Sequence, residues 1–519
     1  MLLNKIIQRD YTSFSPYYQI KLSLDLEISI PSDDPVRLVS AFVEEMDLSE
    51  LYKTYGRIRK HQATPRQMLK LVIYAAMNRI YSSRDIRKAC KRDINFMYLL
   101  EGMPAPDHAT IARFISLHFS VCAKALLAQM SDLLYLLGEI SGKTIFIDGT
   151  KIESVANKYT FVWKRAITKN QVRLYTKLSS FVAECEELYG IKMVYHDRIS
   201  IHTLKRLKKQ LCRIKVREGI VFVHGIGRRK TQLQKSLEQL DQYLEKLKEY
   251  TKKLYTLGDR NSYSKTDPDA TFMRMKEDAM LNGQLKPAYN IQHGVDSEYI
   301  TWLDISSHPT DTCTLIPFLK DMDRYLGFKY SEIVADAGYE SEENYLFIEK
   351  NGQTAYIKPQ NYEISKTRKY KKDISRRENM EYHADSDSYI CRNGRELIAT
   401  NERRSKTVSG YVSIKTYYRS PDCTGCPYKT DCIKGNNCKT PMEKRNKVLM
   451  VSKTMSQKRA EDLERITSEY GTMLRMNRSI QVEGSFADVK EDMNFRRYLY
   501  RGKANALAES ILLAMGRNI

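Results

Sequence analysis

Two short β-rich segments, each followed directly by an aspartate, constrain the fold of this 519-residue chain most. Residues 144–147 lead into Asp148-Gly149, and residues 333–335 lead into Asp336. Carboxylates that follow neighbouring strands converge at one edge of a sheet. Taken singly, each aspartate also fits a simple turn or a helix N-cap, because Asp-Gly and loop-end aspartates are common turn signals.

The surrounding segments predict a mixed sheet. Residues 289–292 and 299–305 read as two strands of a hairpin, and residues 354–357 read as a further strand. A helix is expected at 341–350, where Ser341 supplies an N-cap. Because strands and helices alternate after residue 333, parallel pairing is expected in this half of the chain.

The N-terminal part of the chain is predicted to be helical. Apolar residues recur at three- and four-residue spacing over 35–137, and Ser83 and Asp107 are candidate N-caps. Short helices with basic faces fit a helix-turn-helix, in which Arg113 would contact DNA. An ordinary helical bundle with solvated charges fits the same pattern.

Two further regions differ in texture. Residues 166–260 favour two long antiparallel helices, and a dimeric coiled coil is the alternative, because leucines follow a heptad-like seam. The seam contains Leu233, Leu237, Leu240, Leu244, Leu247 and Leu254. Residues 360–450 are basic and contain cysteines, and their pattern predicts no clear structure.

Charge points to a polyanionic partner. Lys and Arg number 85 against 63 Asp and Glu, which gives a formal charge of +22. Basic runs at 205–209 and 366–372 and the pair Arg496-Arg497 would contact a nucleic-acid backbone. A ribosomal or membrane-surface protein would also be basic, but no run reaches the roughly 18 apolar residues of a membrane span. The pattern therefore favours a soluble cytoplasmic protein.

Glu483 is the third candidate acid, placed near the start of a helix expected to begin at about Ser479. With Asp148 and Asp336 it would offer the oxygen ligands that Mg²⁺ or Mn²⁺ prefers. Two such ions about 4 Å apart would serve phosphodiester displacement.

Four cysteines, at C-x2-C-x5-C-x5-C spacing, predict a structural Zn²⁺ site. They are Cys423, Cys426, Cys432 and Cys438. Free or partly paired thiols and an iron–sulfur cluster are alternatives.

Most of the chain resembles bacterial insertion-sequence transposases with a DDE catalytic domain. Residues 146–153 and 157–164 resemble the first-aspartate block, residues 334–345 the second, and residues 481–486 with 490, 495–497 and 501–502 the glutamate block. Residues 106–114 are similar to the helical DNA-binding domain that often precedes the catalytic domain, and residues 264–270 to another family segment.

The resemblance implies an α/β, ribonuclease-H-like mixed sheet with helices. An all-helical DNA-binding domain would occupy 1–137, and the discontinuous catalytic domain 138–165, 261–359 and 470–519. A helical insertion at 166–260 and a basic insertion with the four-cysteine cluster at 360–469 would interrupt it.

The implied activity is transposition on double-stranded DNA. Asp148, Asp336 and Glu483 would bind two Mg²⁺ (or Mn²⁺) ions, cut the terminal repeats at the element ends and join the freed 3′ hydroxyl to target DNA. The protein would act as a homodimer in the bacterial cytoplasm, associated with the nucleoid when bound to DNA. A nuclease without strand joining and a non-catalytic DNA-binding regulator are the alternatives.

The glutamate block departs from related families in one respect. Those families carry an Arg four positions before the glutamate and a Tyr before it, but here these positions hold Ser479 and Met476, with Arg478 one place off. Lys490 does lie seven positions after Glu483, so on an unbroken helix it would share a face with it and bind a phosphate. Trp163 is expected either to stack on an unpaired base or to pack in the core.

Overall fold

The computed structural model describes residues 30–57, 60–195, 198–225, 227–275, 283–435, 438 and 440–519. The chain divides into two compact units, of which the first ends at Phe119 and the second runs from Ser120 to Asn518. The division therefore precedes the boundary expected at residue 137, because the apolar helix that begins at Ser120 packs within the second unit.

The first unit is helical over its described residues. Its helices are α1 (Pro35–Glu45), α2 (Ser49–Lys53), α3 (Pro65–Met77), α4 (Ser83–Ala89), α5 (Ile94–Leu100) and α6 (His108–Arg113), and a π-helical turn, Phe114–Phe119, follows. Helix α3 lies at the centre and is buried over most of its length. A capping box between Thr64 and Gln67 begins it, with Pro65 in the first turn.

The predicted caps in this unit have mixed outcomes. Asp107 caps α6 by accepting a hydrogen bond from the Ala109 backbone N–H at 3.3 Å. Ser83 is instead the first residue of α4, and Ser82 occupies the cap position.

A six-stranded mixed sheet forms the centre of the second unit. Its strands are β1 (Thr144–Glu153), β4 (Thr271–Arg274), β5 (Leu285–Asp296), β6 (Tyr299–Ser306), β7 (Glu332–Ala335) and β8 (Thr354–Ile357). β1 pairs antiparallel with β5 and parallel with β7, β5 pairs antiparallel with β4 and β6, and β7 pairs parallel with β8. The predicted hairpin, parallel strands and mixed α/β class are confirmed.

Helices pack around this sheet. They are α7 (Ser120–Leu136), α11 (Leu315–Tyr325), α12 (Glu342–Lys350), α16 (Lys453–Thr467), α17 (Glu469–Ala487) and α18 (Lys503–Asn518), with a second π-helical turn at Asp488–Asp492. Helix α17 begins at Glu469 rather than near Ser479, because Ser468 caps it by accepting from the Gly471 N–H at 3.0 Å. Glu483 therefore lies near its C-terminal end.

The helical insertion contains three long helices rather than two. They are α8 (Lys164–Tyr189), α9 (Ile201–Arg217) and α10 (Gln232–Leu257). The leucine seam from Leu233 to Leu247 is buried in a core shared by all three helices, so it serves packing within the chain. A two-stranded ribbon of β2 (Phe161–Trp163) and β3 (Ser262–Ser264) lies where the insertion leaves and rejoins the chain.

The second insertion is built on a five-stranded antiparallel sheet, in the order β13-β12-β11-β10-β9. These strands are β9 (Glu381–His383), β10 (Ser388–Ile390), β11 (Glu396–Lys406), β12 (Val412–Arg419) and β13 (Val448–Val451). Short helices, α13 (Tyr362–Ser365) and α14 (Arg368–Lys371), precede the sheet, and α15 (Lys429–Cys432) lies between its last two strands.

One helical stretch, His108–Leu136, is long and apolar enough to cross a membrane by length and composition alone. Half of its most apolar 18-residue window is buried, and one such helix among the residues that the structure describes is weak evidence for a membrane span.

Candidate active site

Asp148 and Asp336 follow a pair of residues that lie side by side in the central sheet. Ile147 of β1 and Ala335 of β7 are parallel partners, and each is followed by its aspartate. Neighbouring strands lie about 4.8 Å apart, so the two acids leave the sheet at adjacent positions. β7 ends there, whereas β1 continues to Glu153, so Asp148 lies within its strand rather than at its end.

Helix α17 brings Glu483 to the same region through Arg478. Arg478 Nη1 lies 3.0 Å from Asp148 Oδ2, and its Nη2 lies 3.9 Å from Glu483 Oε1. The side chains of Arg478 and Asp148 are only 13% and 17% exposed, whereas that of Glu483 is 65% exposed. A single part-buried cation, Arg478, therefore lies between Asp148 of β1 and Glu483 of α17.

The arrangement is not a completed metal site. Over the described ranges, no group of three or more His, Cys, Asp or Glu side chains is placed so that it could hold a metal ion. The cation that the structure places beside Asp148 and Glu483 is instead the guanidinium of Arg478.

A neighbouring polar network includes Asp311, which the sequence analysis did not identify. Asp311 Oδ1 accepts from Asn290 Nδ2 at 2.6 Å and from Gln292 Nε2 at 3.3 Å. The Tyr339 hydroxyl donates to Gln292 Oε1. Burial raises the pKa of Tyr339 well above its ordinary value, and the charges of Asp311, Asp148 and Asp336 raise it further. These three carboxylates therefore share one electrostatic environment.

Two glycines permit this close packing. A Cβ on Gly149 would lie 2.5 Å from Gln292 Nε2 and 2.9 Å from Asp311 Oδ1. A Cβ on Gly338 would lie 3.2 Å from Asp311 Oδ2. The glycines after the two aspartates therefore make room for Asp311 and its partner, rather than only forming turns.

His293 anchors helix α17 to the sheet. It is the cross-strand partner of Asp148, and its Nδ1 lies 3.1 Å from Ser485 Oγ. Its ring packs against that of Phe486 at a centroid distance of 4.5 Å. Burial lowers the pKa of His293 to about 3, with smaller contributions from the charges of Arg517 and Lys490. A neutral imidazole therefore holds the helix that carries Arg478 and Glu483.

The three residues predicted to contact phosphates, Lys490, Arg496 and Arg497, lie in different environments. Lys490 lies in the π-helical turn after α17, and this turn changes the face relation to Glu483 that an unbroken α-helix would give. Arg496 is exposed and pairs with Glu491 at 2.5 Å. Arg497 Nε donates to the Ser154 carbonyl at 3.3 Å and lies 3.9 Å from Glu153 Oε1, so it braces the end of β1.

Trp163 and Arg113, the other residues predicted to contact DNA, lie in different units of the chain. Trp163 ends β2, is partly buried and packs beside Phe161 and Phe272, each at 6.0 Å between ring centroids. Arg113 ends α6 in the first unit and is exposed.

Two other aspartates, Asp267 and Asp269, form hydrogen bonds that support the local fold. Asp267 is buried and accepts from the hydroxyls of Ser154 at 2.5 Å and Tyr289 at 2.9 Å. Asp269 Oδ2 accepts from the Lys503 N–H at 3.0 Å, where the last helix begins.

The cysteines of the predicted zinc site differ in burial. Cys423 is buried, Cys426 and Cys432 are half-buried, and Cys438 is exposed. All four are free thiols.

Two family models match parts of this chain. One, described as a transposase DDE domain, matches residues 390–519, and the other, described as a transposase domain (DUF772), matches residues 24–117. No curated protein and no solved structure gave a match. The first model covers Glu483 and the second covers Arg113, and together they support an insertion-sequence transposase.

Proposed function

We propose that this protein is an insertion-sequence transposase that cuts DNA at the ends of its element by metal-dependent phosphodiester hydrolysis and joins the resulting 3′ hydroxyl to target DNA. Asp148, Asp336 and Glu483 are the catalytic residues in this proposal. The observation that carries it is that Asp148 and Asp336 follow paired residues of β1 and β7, while Arg478 links Asp148 to Glu483.

The donor set fits hard divalent cations. Three carboxylates, two of them from adjacent strands, provide the oxygen ligands that Mg²⁺ or Mn²⁺ prefers, with positions left for water and phosphate oxygens. Asp148 already pairs with a cationic group, the guanidinium of Arg478. Two bound ions would activate the attacking oxygen and stabilise the leaving one.

The protein's own residues would perform the positioning. The pairing of β1 with β7 would hold the backbones of Asp148 and Asp336 in place. The buried contact between His293 and Ser485 would hold α17 in position against the sheet. Glu483, being mostly exposed, can face a bound DNA strand. Arg478 can turn from the carboxylates toward a phosphate once cations neutralise them, since guanidinium pairs well with both groups.

Other residues are proposed to bind DNA. Lys490 and Arg496 follow Glu483 on the same surface segment and would contact backbone phosphates, with Arg497 supporting that segment. In the first unit, the helical region expected at 1–137 would recognise the terminal repeats, with Arg113 facing the DNA. Trp163 would stack on a base that is unpaired at the cut site. Two ends must be processed together, so a homodimer is proposed in the synaptic complex.

The test uses a plasmid that carries the DNA segments flanking this protein's own gene, incubated with Mg²⁺. Asp148→Ala, Asp336→Ala and Glu483→Gln should each reduce strand cutting by about 10³-fold or more, because charge stabilisation by bound metal is a large part of such catalysis. Binding to a labelled end duplex should survive in all three. Glu469→Gln is the matched control, because Glu469 is exposed in the first turn of α17, the helix of Glu483.

The products separate the alternatives. Joined strands support transposition, whereas cutting without joining would indicate a nuclease. Wild-type protein that binds the ends but never cuts them in Mg²⁺ or Mn²⁺ would contradict the catalytic proposal and favour a regulator. Undiminished cutting in any acid variant would remove that residue from the set.

A further inference from the structure

The five-stranded sheet of the second insertion brings a fifth cysteine, Cys391, to the segment that carries the other four. β10 ends at Ile390, which pairs with Glu396, so residues 391–395 form the turn between β10 and β11. β12 ends at Arg419 and β13 begins at Val448, and these two residues are partners. Arg419 also pairs with Ile398 of β11. The Cys391 turn and the loop 420–447 therefore leave the sheet at the same end.

Named hydrogen bonds join the turn to the loop. The Cys391 N–H donates to the Arg395 carbonyl at 2.9 Å, which closes the turn. The Arg395 guanidinium then donates to the Asp422 carbonyl and, at 3.0 Å, to the Thr424 carbonyl. Because these two carbonyls flank Cys423, the turn is held against the C-x2-C segment.

Lys447 is hydrogen-bonded to both Cys423 and Cys432. Its backbone N–H donates to Cys423 Sγ at 3.3 Å, the type of bond that supports a thiolate ligand. Its Nζ donates to the Cys432 carbonyl at 2.8 Å and to the Ser375 carbonyl at 2.7 Å. Cys423 and Cys432 are thus tied to a single residue.

The thiols also act on one another electrostatically. Cys432 interacts electrostatically with Lys447 and with the thiols of Cys391, Cys423 and Cys426. Cys438 has a different environment, because it is exposed and forms hydrogen bonds with Thr440.

We propose that Cys391, Cys423, Cys426 and Cys432 bind one structural Zn²⁺, with Cys391 in the place that spacing alone gave to Cys438. Four thiolates in tetrahedral geometry are a common structural zinc site. As placed, the side chains of the described residues form no finished metal site, so the ion would draw the four sulfurs together, as metal binding commonly completes small folds.

The second insertion has a small hydrophobic core, which the proposed ion would stabilise. The buried apolar cluster of its sheet consists of Leu397, Tyr418, Leu449 and Val451. Strand β11 is exposed along most of its length. Such a small core is weak by itself, and small folds of this kind usually need a metal or a disulfide. The proposed ion would fasten the end of the sheet where the turn and the loop meet.

The first test needs no variant and does not depend on the proposed DNA chemistry. Full-length protein purified in reductant without chelator is analysed for metals, and its thiols are labelled with N-ethylmaleimide before and after zinc removal. We expect about one zinc per chain. Cys391, Cys423, Cys426 and Cys432 should be protected until the zinc is removed, whereas Cys438 should be labelled throughout.

The second test compares Cys391→Ser with Cys438→Ser. The first change should remove nearly all of the zinc and the second should leave it unchanged. Wild-type protein without zinc, iron in place of zinc, a disulfide within the four, or protection of Cys438 with labelling of Cys391 would each overturn the proposal. If Cys391→Ser does not fold, the labelling of wild-type protein still decides it.

Discussion

The guanidinium of Arg478 lies 3.0 Å from the carboxylate of Asp148, and this ion pair ties helix α17 to the central strand of the sheet. Both side chains are largely buried, so the pair is shielded from solvent. The same guanidinium reaches toward Glu483. It therefore occupies the position between two acids that the proposed function assigns to cations.

Arg478→Ala should destabilise the metal-free protein by about 1–3 kcal/mol, because it removes a largely buried ion pair with Asp148. The loss should shrink when Mg²⁺ is added, since the ions would then neutralise the carboxylate. Denaturant unfolding with and without Mg²⁺ measures both effects. Arg475→Ala is the control, because Arg475 donates to the Ile466 carbonyl and to Thr472 on the same helix. An equal loss with and without Mg²⁺ would argue against competition between Arg478 and metal.

Gly149→Ala should cost about 1–3 kcal/mol of stability and most of the cutting activity, because the new methyl group would overlap Gln292 and Asp311. Gly484→Ala is its counterpart, since Gly484 lies beside Glu483 in α17 and a Cβ there meets no atom within 4 Å. That change should stabilise the helix by about 0.5–1 kcal/mol. Thermal unfolding and a cutting assay on both variants check the pair. Unchanged stability and cutting in Gly149→Ala would show that Asp311 and Gln292 can move to accommodate the methyl group.

His293 should make the folding stability depend on pH between about 6.5 and about 3, the unfolded and folded values of its pKa. In this range the unfolded chain binds the extra proton, so the free energy of unfolding falls as pH falls, by about 1.4 kcal/mol per unit for this one group. His293→Gln removes that contribution. Urea unfolding of both proteins from about pH 7.5 to about pH 5 should give a difference that narrows with acidification. A constant difference would mean that His293 keeps its ordinary pKa.

Arg496→Ala should weaken binding to DNA of any sequence and reduce the slope of log affinity against log salt by about 1, because one phosphate contact is lost. Arg497→Ala should instead lower stability, by about 1 kcal/mol, because Arg497 donates to backbone carbonyls near Ser154. Binding titrations at several salt concentrations, with unfolding curves for both variants, separate these roles. An unchanged salt slope in Arg496→Ala would exclude Arg496 from the DNA interface.

The apolar segments before Asp148 and Asp336 could be predicted as strands because a short apolar run followed by an acid is a local pattern, although β1 continues past Asp148 to Glu153. The partnership between Ile147 and Ala335 follows from parallel pairing, which the strand–helix alternation predicted. The start of the helix that carries Glu483 was predicted too late, because both Ser468 and Ser479 are possible N-cap residues and the structure uses Ser468. As a result, Arg478 lies inside α17 rather than before it.

Asp311 and Cys391 were missed for a different reason. Neither lies in a local motif, and their neighbours come from distant segments, such as Asn290 for Asp311. The second sheet was missed because its strands are largely exposed and polar, as in β11, so they lack the alternation of apolar residues that marks a half-buried strand.

The ribbon of β2 and β3 has a practical consequence. Trp163 pairs with Ser262, and the Lys164 N–H donates to the Asn261 carbonyl at 2.9 Å. The two ends of the three-helix bundle therefore lie side by side at this ribbon. Replacing the residues beyond the ribbon with a short connecting loop should therefore leave the β1–β7 register unchanged. The bundle is thus joined to the rest of the second unit as a separate helical subdomain whose two ends meet at one ribbon.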